Sequence, residues 1–116
     1  MRKTGALIVA SGLSGAIMAG ASESIAEAIG RYAVEIGLAF QIVDDILDVE
    51  GASAELGKTA GKDAAAGKPT YPALYGLDAS RTLASECVQR ATSVLQSARL
   101  GGQLPAIAHW VVGRTH

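Results

Sequence analysis

Phe40-Gln41-Ile42-Val43-Asp44-Asp45-Ile46-Leu47-Asp48 is the stretch whose pattern fixes the fold class. Upstream of it, Ile25, Ile29, Ala33 and Ile36 lead into Phe40, Val43 and Leu47 in steps of three and four. That is the spacing of an amphipathic helix, not of an alternating strand. The helix is predicted over Glu23 to Val49, with Ser24 and Glu27 at capping-box spacing, Ser22 as the rival N-cap, and Gly51 as the stop. Gly30 and Gly37 lie on nearly one side of it and leave room for a second helix to approach closely. Asp44 and Asp48 share a face, and Asp45 sits about 100° round from Asp44. Three carboxylates so close repel one another, and they fall near the predicted C-terminal end, where the helix dipole disfavours negative charge. A hard divalent cation would offset that cost. Mg²⁺ takes one or two protein carboxylates and fills its shell with water and phosphate oxygens. A bare Asp-Asp-x-x-Asp is more often a solvated acidic face. Here Phe40, Ile42, Val43, Ile46 and Leu47 surround the acids, so the helix is expected to be buried and its carboxylates must line a cavity or be paired. The spacing of an EF-hand loop is absent.

Outward from this helix the chain keeps a helical character. Thr4 to Gly20 is expected to be a buried helix, apolar on most faces. Its basic start and apolar run also imitate a secretory signal peptide, although Gly5, Ser11, Gly12, Ser14 and Gly15 weaken a membrane-seeking segment. Gly51 to Gly67 is predicted as a loop with a short turn at Ser53–Leu56. It holds Lys58, Lys62 and Asp63, with Lys68 just beyond. Lysines beside a magnesium site suit a diphosphate, which needs several cations at once, while solvated loop lysines are the bland alternative. Lys3-Thr4 would add a cation and a hydroxyl. A short helix is predicted from near Pro72 and a longer one from Asp78, with Leu83, Val88, Ala91, Val94, Leu95 and Ala98 as its apolar stripe and Gly101-Gly102 as its stop. Leu104 to Val112 is a last helix with Ile107, Trp110 and Val111. The fold class is all-α.

The 116 residues suit one small domain, and an 18% charged content leaves enough apolar sequence for a core. A net charge of −1 gives no general attraction to nucleic acid or anionic membrane. No stable membrane span is expected. The single cysteine, Cys87, cannot form an internal disulfide, which suits a reducing cytoplasm. No histidine–cysteine cluster has zinc spacing.

Taken in order, Lys3-Thr4-Gly5-Ala6-Leu7, Phe40-Gln41 with the following DDILD, Leu56-Gly57-Lys58-Thr59-Ala60-Gly61-Lys62-Asp63, Lys68-Pro69-Thr70-Tyr71-Pro72-Ala73-Leu74 and Ala108 to Arg114 resemble the trans-isoprenyl diphosphate synthases, or polyprenyl synthetases. The resemblance implies the C-terminal part of the all-α terpenoid-synthase fold, with residues 1–116 forming part of one such domain. It implies a Mg²⁺-dependent condensation in which an allylic diphosphate ionises, isopentenyl diphosphate attacks the carbocation, and a proton is lost. By analogy Asp44 would bind magnesium directly, with Asp45 and Asp48 close by and partly through water. Lys3, Lys58 and Lys68 would hold the allylic diphosphate, and Thr4 and Gln41 would face the developing cation. Lys62 and Asp63 would have supporting roles. A homodimer is the family expectation.

The departure from the family is also visible. DDILD is the only such motif in the chain, and the family's first aspartate-rich motif and adjacent arginines have no counterpart. The chain is therefore expected to start inside the family's fold, to end where the family ends, to be inactive alone, and to self-associate through uncovered apolar surface. The alternatives are a non-catalytic subunit that docks on a full-length synthase, a secreted helical protein, and a terpene cyclase of similar fold.

Overall fold

The computed structural model describes residues 3–54 and 70–114. The helices are α1 (Lys3–Met18), α2 (Glu23–Ala54), α3 (Tyr71–Tyr75), α4 (Leu77–Ser97) and α5 (Leu104–Gly113), and the described residues contain no strand. The spine is α2. Its 32 residues span about 48 Å at 1.5 Å per residue, close to the 51 Å long dimension of the molecule. The other helices pack around it.

Ser22 rather than Ser24 caps α2: its Oγ accepts from the Ile25 N–H at 3.3 Å. The helix runs past Gly51 to Ala54, five residues beyond the predicted end. A glycine costs a helix about 1 kcal/mol but does not by itself stop one. The extension changes the electrostatics, because the dipole acts within the last turn. Asp44, Asp45 and Asp48 stand clear of that turn, so the expected dipole penalty is absent and only their mutual repulsion remains.

Two helices flank α2 antiparallel. A methyl built on Gly37 would lie 3.1 Å from Gly5 Cα, and one on Gly30 would lie 3.3 Å from Leu13 Cδ2. The pairings 5 with 37 and 13 with 30 set the register of α1, and the predicted close approach is its basis. The turn between the two is a Schellman motif. Ala21 N–H reaches Ala16 O, Gly20 N–H reaches Ile17 O, and Gly20 takes φ 72°. On the other side, Arg90 pairs with Glu35 and Arg81 with Glu50, which makes α4 antiparallel too. Such exposed pairs set register more than they stabilise.

The core lies between α2, α4 and α5, built on Ile36, Ala39, Ile42, Val43, Ile46, Cys87, Val88, Ala91, Leu95, Ala108 and Val111. Cys87 is the small core residue expected of it; burial, then the nearby Glu35 charge, pushes its thiol up. Tyr32 is buried as well, its hydroxyl donating to Leu104 O at 2.6 Å, and burial raises its pKa. That bond anchors the start of α5, which runs parallel to α2 from the level of Tyr32 to that of Asp44.

Two expectations need correction. Helix α1 is not buried: only Gly5 and Ala16 are, while Leu7, Ile17 and Met18 are 68–88% exposed. A helix apolar on most faces has here a single neighbour among the described residues, which covers one face. Helix α4 stops before Gly101-Gly102, in a second Schellman turn with Arg99 at φ 57°. In α5 the buried residues are Ala108 and Val111, whereas Ile107 and Trp110 face outward.

Candidate functional site

Four elements meet around the acidic stretch of α2. Asp45 is 5% exposed, with both carboxylate oxygens engaged. Its Oδ1 accepts from Gln41 Nε2 at 2.9 Å, one helical turn away, and its Oδ2 accepts from Tyr71 N–H at 3.3 Å. The second bond ties the first residue of α3 to α2. Thr70 caps α3 through Oγ1, which accepts from Ala73 N–H, so the Thr70-Tyr71-Pro72 turn is fixed at both ends.

Asp44 points elsewhere. Its side chain is 47% exposed and pairs at 3.2 Å with Nη1 of Arg114, just past the end of α5. The same guanidinium donates from Nη2 to Phe40 O and from Nε to Val111 O, and lies 3.9 Å from the centre of the Phe40 ring. Arg114 thus closes the C-terminal end of α5, where a cation is favoured, and is itself only 13% exposed. Asp48, one turn beyond Asp44, is exposed.

Lys3 and Thr4 are exposed at the start of α1. Gly5 abuts Gly37 on an antiparallel neighbour, which puts Lys3 at the level of Ala39–Phe40, roughly 7 Å along the axis from Asp44 at 1.5 Å per residue. The acidic stretch and the start of α1 are therefore at the same end of the α1–α2 pair. Lys58, Lys62, Asp63 and Lys68 lie outside the described residues.

The donor set fits a hard cation. Asp44 and Asp48 offer carboxylate oxygens one turn apart, with β-carbons about 5–6 Å apart by helix geometry. That supplies the one or two protein ligands Mg²⁺ usually takes. Among the described residues, no group of three or more His, Cys, Asp or Glu side chains forms a ready metal cage, so water and phosphate oxygens would supply the rest. Asp45 has both oxygens held within the fold.

The sequence matches the polyprenyl synthetase family over residues 1–99. The chain belongs to that family. Similarity to individual polyprenyl synthetases agrees. The chain is 50% identical over 95 residues to a chloroplastic geranylfarnesyl diphosphate synthase of Leucosceptrum canum, covering 82% of this chain and 26% of that protein. It is 43% identical over 115 residues to a dimethylallyltranstransferase of Fischerella ambigua (strain UTEX 1903), covering 98% of this chain and 33% of the other. It is 52% identical over 95 residues to geranylgeranyl pyrophosphate synthase 11, chloroplastic, of Arabidopsis thaliana, covering 82% and 27%. The chain thus spans between a quarter and a third of the length of these synthases. The family match ends before α5, and the Fischerella overlap is long enough to include it. No described helix is long and apolar enough to cross a membrane.

Sequence reasoning missed Arg114 and the Tyr71 amide. Arg114 had a local signal, a basic residue just after a helix, but its partner is seventy residues away. The Tyr71 amide had none.

Proposed function

We propose that this chain carries the second metal–diphosphate half-site of an isoprenyl diphosphate synthase, an enzyme that joins isopentenyl diphosphate to an allylic diphosphate. The observation that carries the reading is the division of labour in DDILD. Asp45 is consumed inside the fold, while Asp44, half-exposed and paired with Arg114, and the exposed Asp48 share one face. That face lies near the start of α1.

Asp44 and Asp48 would hold the cation, with Asp45 steadying them through its fixed helix face. When bound, Mg²⁺ would draw negative charge from the leaving diphosphate and so ease its departure. Lys3, Lys58 and Lys68 would share the remaining phosphate charge, with Lys62 and Asp63 in support. Support for Lys68 comes from its position three residues before Tyr71, whose amide is tied to Asp45. Gln41 donates its amide N–H to Asp45, which leaves its carbonyl oxygen, with the Thr4 hydroxyl, to steady developing positive charge on the allyl group. The rest of the relatives' length would supply the other half of the site, so turnover by this chain alone is not expected. The lone buried Cys87 suits a reducing, cytoplasm-like compartment.

Calorimetry with Mg²⁺ and methylenediphosphonate tests the reading. Binding is expected to need both components, and Asp44→Asn should weaken it at least ten-fold. Asp78→Asn, at an exposed acid on α4, should leave it unchanged. Equal binding by wild type and Asp44→Asn would remove the assignment.

A second copy of the chain is the proposed cover for the apolar residues left outside. Leu7, Ile17, Met18, Val34 and Leu38 are 36–88% exposed on α1 and α2. Residues of this kind in number on two adjoining helices mark an association surface. Light scattering should return at least the dimer mass, and a stable monomer at micromolar concentration would refute the idea.

A further inference from the structure

The Arg114 guanidinium occupies the open carboxylate of the proposed metal site. It meets Asp44 Oδ1 at 3.2 Å, the Phe40 carbonyl at 3.2 Å and the Val111 carbonyl at 3.3 Å, and it covers the Phe40 ring. Exposed ion pairs are individually weak, but this one is held by three acceptors and a ring, and the arginine is largely out of water. From these contacts we propose that Arg114 is an internal counter-cation that a divalent metal must displace from Asp44: a latch at the end of α5 that sets the metal affinity of the half-site. The inference rests on the proposed metal role of Asp44.

The geometry makes the exchange readable. Binding of a metal at Asp44 removes the one carboxylate partner that Arg114 has among the described residues and frees the guanidinium to move from Phe40. Trp110, the only tryptophan in the chain, lies 5.7 Å from the same guanidinium and is 62% exposed. Its emission therefore reports whether the cation leaves. The latch remains at the site after release, where it can meet the charge of a phosphate.

The test uses the full 116-residue chain and Mn²⁺ alone, with calorimetry for affinity and Trp110 emission, excited at 295 nm, for the latch. Wild type should bind Mn²⁺ with a saturable change in emission. Arg114→Gln should bind about three- to ten-fold more tightly, as expected when a competing ion pair is removed, and should lose most of the emission change. Arg81→Gln, which removes an equal charge from the Glu50 pair, should move the affinity less than two-fold. Circular dichroism checks that each variant is folded, and the wild-type emission stands without any variant. Unchanged or weaker binding by Arg114→Gln, equal tightening by Arg81→Gln, or a silent Trp110 in metal-saturated wild type overturns the latch. In those cases, loss of binding in Asp44→Asn would still uphold the metal site. If Asp44→Asn binds as wild type does, or wild type binds nothing, the metal reading falls and the latch with it.

Discussion

Gly37→Leu is expected to detach α1 from α2 and to be among the most damaging single changes in this chain. A Cβ at position 37 would already stand 3.1 Å from Gly5 Cα, with Gly5 O at 3.7 Å. What it meets is backbone, which cannot swing aside as a side chain can. Overpacking usually costs about 1–3 kcal/mol, and a four-carbon side chain against a helix backbone belongs at the upper end. Since α1 packs mainly on α2 and is itself largely exposed, the strain is relieved by letting α1 go. The expected result is a fall in helical circular dichroism corresponding to a 16-residue segment, with a lower denaturation midpoint for what remains. Gly37→Ala should be milder, because the helix gains about 1 kcal/mol in propensity against a displacement of a few tenths of an ångström. A Gly37→Leu chain with wild-type helicity and midpoint would show that the crossing is not what holds α1.

The same crossing shows what a sequence can and cannot disclose. Periodicity located the four longer described helices, because a face buried along a helix leaves a repeating local mark. Two glycines seven apart marked where a neighbour could come close, and the neighbour came there. Helix ends were less legible. Gly51 reads as a stop but lies inside α2, whereas Arg99, which reads as an exposed helical residue, ends α4 in a left-handed conformation. Both outcomes depend on the competition between local propensity and the tertiary position of the following segment. In the site, the identity of Asp44, Asp45 and Asp48 as a group was visible, but their different environments were not. Neighbours four or fewer residues apart have similar local sequence, yet Asp45 is taken up by Gln41 and an amide 26 residues away, and Asp44 by a cation 70 residues away. Such pairings come only from the packing of α3 and α5 on α2.

Asp45→Ala should separate the three aspartates by what each does. Asp45 is almost fully buried and accepts two hydrogen bonds as an ion. Bonds of that kind contribute about 1.5–3 kcal/mol, and their loss strands the donors they satisfied. The Tyr71 amide then has no partner from α2, so the only hydrogen bond between α3 and the acidic face is gone. A destabilisation of about 2–4 kcal/mol is expected, partly offset by relief of repulsion from Asp44 and Asp48. Asp45→Asn should cost less. Its Oδ1 can still accept from Tyr71, and its amide N–H can donate to Gln41 after that side chain turns its oxygen round. Asp44→Ala, at a half-exposed carboxylate whose partner Arg114 keeps its bonds to the Phe40 and Val111 carbonyls, should cost about 1 kcal/mol. Urea denaturation of the three variants gives the comparison directly. A wild-type midpoint for Asp45→Ala would show that its two hydrogen bonds do not hold the fold, and α3 would need another anchor. The expected order, Asp45→Ala well below Asp45→Asn and Asp44→Ala, makes Asp45 the member of the three that holds the fold.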